Sequence, residues 1–417
     1  MSAPELVTFG CRLNAYESEV IRARAIEAGL ANALIFNTCA VTAEAVRQSR
    51  QAIRKARRAQ PNAKIIVTGC GAQTEPHVYA AMPEVDLVLG NDEKLHSESY
   101  SGFVLNAAER VRVNDIFAVK KLAPQFVDSF DGRVRAFLQI QNGCDHRCTF
   151  CIIPYGRGNS RSVPMGAVVN GARRLVEKRF GEIVLTGVDL TSYGADLPGA
   201  PTLGQVCAKL LRHIPELKRL RLSSIDSIEA DDDLLRLIAE EERLAPHFHL
   251  SVQSGDDMIL KRMKRRHSRK DTITFCDTVR RLRPEVAFGA DLIAGFPTET
   301  DSMFENTMRL VNDAGLIYLH VFPFSPRKGT PAARMPQVSR DVVKSRARRL
   351  RAIGTTALAS QLQSMIGSEQ DLLVEKEGVA RTACYAQVAL AGPALPGTFV
   401  RARISGATNT NLVAEAP

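Results

Sequence analysis

Three cysteines lie close together near the middle of the chain, in the segment Cys144-Asp-His-Arg-Cys148-Thr-Phe-Cys151. The apolar residues 137–141 before them predict a strand, so the cysteines would occupy the loop that follows it. Three thiolates can ligate three irons of a [4Fe–4S] cluster, and because four cysteine ligands are usual, one iron would stay open. A zinc site is the alternative, although structural zinc is generally closed by a fourth cysteine or histidine. The spacing therefore favours an iron–sulfur cluster.

A second set of cysteines is spread over the N-terminal part of the chain. Cys11, Cys39 and Cys70 each come directly after an apolar run that predicts a strand. In a parallel sheet the carboxyl ends of the strands share one edge, where ligands bind. We therefore expect these thiols to converge as metal ligands, the alternative being small cysteines that merely pack beneath loops. The remaining cysteines lack this context and are predicted to be structural: Cys207, Cys276 and Cys384.

Composition sets the class of protein in which these cysteines act. The 417 residues are 45% hydrophobic and 24% charged, which is typical of a globular protein of two or three domains and excludes wholesale disorder. No apolar run reaches the roughly 18 residues of a membrane helix, and the segment from Met1 to Glu5 does not resemble an export signal. We therefore expect a cytoplasmic protein without a membrane partner. An odd number of cysteines in that reducing compartment indicates metal ligation rather than disulfides.

Positive charge is concentrated in three places. The chain has 55 basic and 45 acidic residues, a net charge of +10. The first basic cluster lies at residues 47–58, and further clusters lie at residues 261–267 and 340–351. Such clusters favour a polyanionic partner, RNA or DNA, over a simply solvated face or the phosphates of a bound cofactor. The first cluster places four arginines on one face of a predicted helix, where we expect RNA contacts: Arg47, Arg50, Arg54 and Arg58.

The elements that must position these residues form an α/β pattern in three domains. Residues 1–104 alternate strands and helices, which predicts a doubly wound parallel sheet. Residues 105–133 are an irregular connector. Six further strands with crossover helices predict a partial (β/α)6 barrel over residues 134–358, because a full barrel usually needs eight strands. Residues 364–417 are rich in short strands and turns and predict a small all-β barrel.

The cluster loop, with Phe150 in its aromatic position, resembles that of the radical S-adenosylmethionine enzymes. The resemblance implies that the open iron binds S-adenosylmethionine and that the cluster cleaves it to a 5′-deoxyadenosyl radical. It also implies cofactor contacts at Phe150, at Thr186 and Gly187 after the second barrel strand, and at Ser224 and Gln253 at later strand ends. Ordinary turns and solvated loops are the alternative interpretation of the last four positions.

Two cysteine triads in this order resemble the methylthiotransferases among these enzymes, over almost the whole chain. The C-terminal segment is similar to the small RNA-binding barrel called TRAM, although it is short. The segments that carry the resemblance are Phe9-Gly10-Cys11-Arg12-Leu13-Asn14, Asn37-Thr38-Cys39, Gly69-Cys70-Gly71, Leu222-Ser223-Ser224, His249-Leu-Ser-Val-Gln-Ser-Gly255, Gly295-Phe296-Pro297-Thr298-Glu299-Thr300 and Phe322-Pro-Phe-Ser-Pro326.

Methylthiotransferases divide by substrate. One class acts on N6-threonylcarbamoyladenosine in tRNA, another on N6-isopentenyladenosine in tRNA, and a third on an aspartate of a ribosomal protein. The segments at residues 156–162 and 330–336 look most like the threonylcarbamoyladenosine class. The resemblance thus implies an enzyme that converts this nucleoside, at position 37 of tRNA, to its 2-methylthio derivative. The other two substrates, and a noncatalytic iron–sulfur RNA-binding protein or redox sensor, are the alternatives.

The resemblance also implies what the enzyme needs. Its cofactors would be two [4Fe–4S] clusters, one on each triad, together with S-adenosylmethionine. Its partners would be tRNA and a flavodoxin-like or ferredoxin-like electron donor, and the sulfur source is left open. A substrate that carries a carboxylate calls for a nearby cation, and the candidates follow the cluster loop or a strand end: Arg157, Arg161 and Arg327.

Overall fold

The computed structural model describes residues 3–101, 110–123, 125, 127 and 132–416. The chain divides into two compact units that are discontinuous in sequence. The first comprises Met1–Val127, Gln141–Val163 and Ser325–Ala333, and the second comprises Asp128–Ile140, Pro164–Phe324 and Arg334–Pro417. The cluster loop at residues 144–151 therefore belongs to the same compact unit as the N-terminal cysteines. The boundaries predicted from the sequence, at residues 104, 133 and 358, assume that each domain is one continuous stretch of chain. They therefore do not anticipate units that are assembled from separate segments.

A parallel sheet forms the centre of the first unit. Its five strands lie side by side in chain order. Helix Arg12–Glu27 packs on one face through Ile21 and Ala25, and helix Ala43–Ala59 packs on the other through Ile53. The predicted parallel sheet is confirmed, and the short fifth strand falls in the predicted connector. The strands are Glu5–Thr8, Ala33–Thr38, Lys64–Gly69, Leu87–Leu89 and Val111–Arg112.

The cluster loop is framed by a short antiparallel ribbon. Strand Gln141–Asn142 pairs with strand Arg161–Ser162, and helix Ile153–Arg157 lies between them in the chain. Gly143 has φ = 76°, and a Cβ there would lie 1.9 Å from the carbonyl oxygen of Asn159. Only glycine lets the chain enter the loop in this left-handed conformation at such close approach.

The second unit contains two parallel sheets, and their strands come one after another along the chain. One sheet has the order Arg219–Leu222, Glu182–Thr186, Arg135–Gln139. Helices connect the strands, among them Leu203–His213 and Arg269–Leu282. The six predicted strands are confirmed, most of them to within two residues, because their apolar runs are bounded by turn residues. The other sheet has the order Ser224–Ile225, His247–Gln253, Ala287–Ala294, Leu316–Pro323.

A small closed barrel ends the chain, after helix Arg340–Ser364. Its interior is apolar, and Leu362 and Met365, at the end of that helix, pack into it. The predicted all-β barrel is confirmed, although Val379–Arg381 and Leu412–Glu415 are too short to stand out in the sequence. The five strands, in order around the barrel, are Glu369–Lys376, Val379–Arg381, Gln387–Ala391, Leu412–Glu415 and Phe399–Ala407.

The C-terminal barrel packs against the amino-terminal ends of the parallel strands within the second unit. The ring of Tyr385 stacks on His247 at a centroid distance of 4.8 Å and meets Tyr318 edge-on at 6.2 Å. Among the described helices, none combines the length and the apolarity needed to cross a bilayer.

The turn before Cys70 offers a test of the first unit. Gly69 has φ = 92°, and a Cβ there would lie 2.4 Å from the carbonyl oxygen of Thr38. Gly69→Ala should lower the free energy of unfolding by about 2–4 kcal/mol, since backbone strain and steric overlap add. Gly29→Ala is the control, because φ is 69° there but nothing lies within 4 Å of a Cβ, so that only about 1 kcal/mol is expected. Equal losses in urea unfolding would contradict the overlap.

Candidate iron–sulfur centres

The structure brings the three N-terminal cysteines together at the carboxyl edge of the sheet. Cys11 directly precedes helix Arg12–Glu27, Cys39 follows strand Ala33–Thr38, and Cys70 opens helix Cys70–Thr74. Gly10 lies against Cys39, because a Cβ on that glycine would be 3.0 Å from the Cys39 Sγ. Cys39 and Cys70 are buried, whereas Cys11 is exposed. One thiol of the triad is therefore open to solvent.

Electrostatics at this triad oppose three bare thiolates. Burial raises the pKa of the Cys39 thiol to about 12, with further increases from the nearby Cys70 and Cys11. The backbone N–H of Val41, which lies 3.5 Å from the Cys39 Sγ, and the charge of Arg157 partly oppose this rise. Metal binding would displace the thiol protons, since the thiolate is the ligating form. The donor set thus suits a bound metal better than it suits free thiolates.

A buried ion network lies beside the triad. The carboxylate of Glu17 accepts from Arg157 Nη1 at 2.8 Å and Nη2 at 2.9 Å, and from Lys94 Nζ at 2.7 Å. Arg157 Nη2 also donates to Asn14 Oδ1 at 2.6 Å. Burial lowers the pKa of Lys94, whereas Arg157 stays charged, and the nearby Cys70 and Cys11 raise its pKa. That charge compensates thiolate ligands, so the site fits an anionic iron–sulfur cluster.

Sequence reasoning missed Glu17 and Lys94 as parts of this site. Glu17 lies on the buried face of its helix together with Asn14 and Ile21, and Lys94 is fully buried. A carboxylate at an apolar helix position is the signal that could have drawn attention to it. Asn91 completes the network, because its Nδ2 donates to the Cys70 Sγ at 3.7 Å and its Oδ1 accepts from Lys94.

Internal hydrogen bonds anchor the second triad. The backbone N–H of Cys144 donates to Gly158 at 3.0 Å, and that of Cys151 donates to Cys148 at 3.1 Å. Arg147 donates from the loop to the carbonyl of Cys144 and to Asn159. The three cysteines are half-buried. Three thiols held on one ordered loop, each with some solvent access, fit a cluster that keeps one iron open.

The two triads are linked by packing within the first unit. Ile152, which directly follows Cys151, shares a buried cluster with Ala40 and Cys70. In the next helix, a Cβ on Gly156 would lie 3.3 Å from the Cys70 Cβ. The segment after one triad therefore rests directly on a ligand of the other.

The predicted cofactor contacts lie at carboxyl ends of strands in the second unit, apart from Phe150 in the cluster loop. Thr186 ends strand Glu182–Thr186, followed by Gly187, and Gln253 ends strand His247–Gln253 with φ = 70°. Ser224 begins the short strand Ser224–Ile225. Their contact with the cofactor stays a prediction. Two polar groups that sequence reasoning did not select, Gln139 Nε2 and Ser223 Oγ, are buried at strand ends without a hydrogen-bond partner in the described structure.

Those orphaned groups test whether the second unit fits S-adenosylmethionine. A buried donor without a partner is costly unless a ligand satisfies it. Gln139 ends the first barrel strand, and Ser223 directly follows the strand Arg219–Leu222. Polar groups at this edge match the place where α/β barrels bind ligands. The residues present therefore fit a polar cofactor.

The predicted substrate arginines are engaged within the first unit. Arg157 is 2% exposed and carries the Glu17 ion pair, and Arg161 donates to the carbonyls of Arg157 and Val119. Arg327 is 8% exposed, with a guanidinium nitrogen 3.6 Å from a carboxylate oxygen of Glu75. These contacts give all three a structural role, and their contact with substrate stays a prediction.

The predicted RNA-binding arginines occupy helix Ala43–Ala59. Arg47, Arg54 and Arg58 are exposed, whereas Arg50 is half-buried. Arg47 pairs with Glu44 at 2.6 Å across one turn of the helix. Three of the four side chains are therefore accessible to a partner, although Arg47 would have to leave Glu44 to reach it.

Two family models match this chain, and together they cover parts of both compact units. The model of the "Radical SAM superfamily" matches residues 138–311, and that of the "Uncharacterized protein family UPF0004" matches residues 5–90. The threonylcarbamoyladenosine tRNA methylthiotransferase MtaB of Rickettsia prowazekii is 56% identical over 402 residues, covering 96% of this chain and 94% of the relative. The enzyme of the same name from Aquifex aeolicus is 36% identical, with 95% and 98% covered.

More distant matches agree in fold. The tRNA-2-methylthio-N(6)-dimethylallyladenosine synthase of Cereibacter sphaeroides is 34% identical, covering 98% of this chain and 97% of the relative. Among solved structures, the radical S-adenosylmethionine methyltransferase TsrM of Kitasatospora setae aligns with a TM-score of 0.56 at 14% identity. The alignment covers 80% of this chain and 75% of that one. At this identity the likeness shows the fold alone, which is the radical SAM fold.

Iron content tests the two triads. The protein should hold about eight irons after anaerobic reconstitution, four for each [4Fe–4S] cluster. Changing Cys144, Cys148 and Cys151 to alanine should halve the iron, and so should changing Cys11, Cys39 and Cys70. The matched control changes Cys207, Cys276 and Cys384 to alanine and should keep all of it. Full iron in either triad variant would rule out that triad as a cluster site.

The buried carboxylate predicts an acid-dependent loss of stability. Burial alone would raise the pKa of Glu17, but Arg157 and Lys94 lower it from 4.5 to about 2. Its contribution is thus complete above about pH 4.5 and is lost as the pH falls toward 2, a total of about 3 kcal/mol. Urea unfolding of metal-free protein between pH 7 and 3 should show a steeper loss for wild type than for Glu17→Gln.

The control for that measurement is Glu27→Gln, which removes an exposed carboxylate at the end of the same helix. Its stability should follow the wild-type pH dependence. At neutral pH, Glu17→Gln should itself cost about 3–5 kcal/mol, because two buried cations lose their carboxylate. Parallel curves for wild type and Glu17→Gln would contradict the proposed ion network.

Proposed function

The chain belongs to the methylthiotransferase family of radical S-adenosylmethionine enzymes, and we propose that it converts N6-threonylcarbamoyladenosine at position 37 of tRNA to 2-methylthio-N6-threonylcarbamoyladenosine. The observation that carries this proposal is the 56% identity to an enzyme named for that substrate, over 96% of this chain. Relatives named for dimethylallyladenosine are 33–34% identical, which favours the threonylcarbamoyl substrate.

The two triads hold the cofactors of this reaction. Cys144, Cys148 and Cys151 ligate one [4Fe–4S] cluster, and the N-terminal triad ligates the other. With S-adenosylmethionine bound, these groups would supply the radical chemistry that activates the C2 carbon of adenine, and the N-terminal cluster would supply or hold the sulfur that is attached there. Because Ile152 and Gly156 pack on Cys70, the chain keeps the two ligand sets close together. This proximity supports a role for both clusters in one reaction.

The chain's own residues bind, orient and compensate charge. Gln139 and Ser223 offer buried donors to polar groups of S-adenosylmethionine, and the strand-end residues Thr186, Gly187, Ser224 and Gln253 surround the same edge. Phe150, in the aromatic position of the cluster loop, remains a predicted cofactor contact. Arg157 offsets the negative charge of the N-terminal thiolates, and Glu17 holds both Arg157 and Lys94 in place. The protein thereby contributes position and electrostatics, and the cofactors contribute the bond-breaking chemistry.

Recognition of tRNA uses the basic surfaces. The exposed arginines of helix Ala43–Ala59 contact phosphates, and the C-terminal closed barrel acts as a TRAM-like RNA-binding domain beside a partial (β/α)6 barrel. The three arginines predicted to meet the substrate carboxylate, Arg157, Arg161 and Arg327, are buried and support the site from within the first unit. A flavodoxin-like or ferredoxin-like protein donates electrons in the cytoplasm.

Modified nucleosides test this proposal directly. Reconstituted protein, supplied with S-adenosylmethionine, reductant and a sulfur source, should methylthiolate tRNA that carries threonylcarbamoyladenosine, detected by mass spectrometry of digested tRNA. Turnover on isopentenyladenosine tRNA should be at least tenfold lower, since buried polar groups would lose their partners. The variant lacking the N-terminal triad should still cleave S-adenosylmethionine without forming product. Equal turnover on both tRNAs would move the protein to the isopentenyl class.

Salt dependence tests the basic helix. Arg47→Gln, Arg54→Gln and Arg58→Gln combined should reduce the slope of log K against log salt by about 2–3, since each lost phosphate contact removes roughly 0.7–0.9. The charge-matched control changes exposed arginines of the second unit, Arg173, Arg236 and Arg281, and should keep the wild-type slope. A slope unchanged in the first variant would show that this helix face is only solvated.

A further inference from the structure

Three side chains that the proposed chemistry does not use meet on neighbouring strands of the second unit. His249 Nε2 lies 2.8 Å from Asp291 Oδ1, and His320 Nδ1 lies 3.3 Å from the same oxygen. The two imidazole rings are 4.4 Å apart between centroids. One carboxylate oxygen therefore accepts from both histidines and fixes their orientation.

Strand register places this cluster on the inner face of the sheet. Asp291 pairs with His320, and His249 pairs with Gly289, which is two residues from Asp291 on the same face. The alternate residues Leu250 and Leu292 are fully buried on the other face. Gly289 makes the room, because a Cβ there would lie 2.5 Å from His249 Nδ1. The inner face is thus adapted to hold an imidazole in one position.

The two histidines of the cluster lie just beyond the part of the strands that the C-terminal barrel covers, near their amino-terminal ends. His247 and Tyr318, which contact Tyr385 of the C-terminal barrel, each precede a cluster histidine by two residues. Exposure rises across the cluster, from 6% for the His249 side chain to 24% for Asp291 and 59% for His320. The cluster is therefore anchored at His249 and open at His320.

The open nitrogen is the feature that points to a ligand. Because Nδ1 of His320 lies 3.3 Å from Asp291 and the side chain is 59% exposed, Nε2 is the ring nitrogen that can meet a ligand. A protonated imidazole donates from Nε2 to an oxygen, and Asp291 on its other side fixes the ring as it does so. Burial would raise the pKa of Asp291, but hydrogen bonds from both histidines lower it, so the cluster keeps its carboxylate charge at neutral pH.

We propose that this His249–Asp291–His320 cluster recognises the carboxylate-bearing end of the N6 substituent on the substrate base. His320 donates to the substrate carboxylate, and Asp291 and His249 are positioning residues. The inference rests on the proposed function and names its specificity site. An isopentenyl tail offers no acceptor, so the polar cluster would be desolvated without compensation and that substrate would be disfavoured.

The test compares three anticodon stem-loop RNAs on the reconstituted holoenzyme. They carry threonylcarbamoyladenosine, its methyl ester, or isopentenyladenosine. His320→Phe keeps ring contact with His249 but removes the donor, and it should raise KM for the carboxylate RNA about 10- to 100-fold, the range of one hydrogen bond to a charged group. The change for the ester should be at most about threefold, because its carboxylate charge is already blocked.

Two more variants separate recognition from structure. His320→Gln places an amide N–H near the position of Nε2 and should recover part of the loss. His213→Gln, an exposed histidine at the end of an outer helix, should behave as wild type with all three RNAs. Iron content and the unfolding midpoint, measured for each variant, show whether the fold and both clusters are retained.

Each outcome decides one question. Equal effects of His320→Phe on carboxylate and ester RNAs would overturn the inference and leave the proposed function intact. A stoichiometric divalent ion, bound by wild type beyond the cluster iron and lost in His320→Phe, would make the cluster a metal site and also overturn it. If wild type turned over neither modified RNA but its Kd still favoured the carboxylate RNA through His320, the function would fail and the recognition site would stand.

Discussion

Glu17 is the carboxylate on which the N-terminal site depends. Its two oxygens hold Lys94, which follows the fourth strand of the sheet, and Arg157, from the helix after the cluster loop. These three residues are far apart in sequence and all are nearly inaccessible to solvent. Such a network is strongly destabilising when one member is removed, because a buried charge is left uncompensated. It therefore holds the helix that follows the cluster loop against the sheet domain, and it places the guanidinium of Arg157 beside the thiols.

The same interaction links folding to metal binding. In the metal-free protein, Cys39 is disfavoured as a thiolate by burial and by its neighbours. A bound cluster reverses that preference, and the guanidinium charge of Arg157 then lies beside the thiolates. Glycines complete the arrangement, because Gly10 and Gly156 leave room for Cys39 and Cys70. Ligands, charge and packing are thus parts of one construction.

Local patterns predicted much of this molecule. Strand and helix positions followed from apolar runs bounded by turn residues, and the placement of a cysteine after each of three strands anticipated their convergence. The discontinuous compact units could not be predicted, because they depend on which segments pack, not on where elements begin and end. For the same reason Arg157 was predicted to be a substrate contact, whereas its ion pair joins residues 140 positions apart. The His249–Asp291–His320 cluster depends on strand register, which one sequence does not specify.

Two different [4Fe–4S] sites are built into one compact unit of this chain. Mössbauer spectroscopy of protein reconstituted with ⁵⁷Fe tests it most directly, with and without S-adenosylmethionine. We expect all the iron in [4Fe–4S] clusters, and S-adenosylmethionine should perturb a single iron of about eight, in the cluster held by Cys144, Cys148 and Cys151. A spectrum from one cluster per chain, or no change on adding S-adenosylmethionine, would contradict the account.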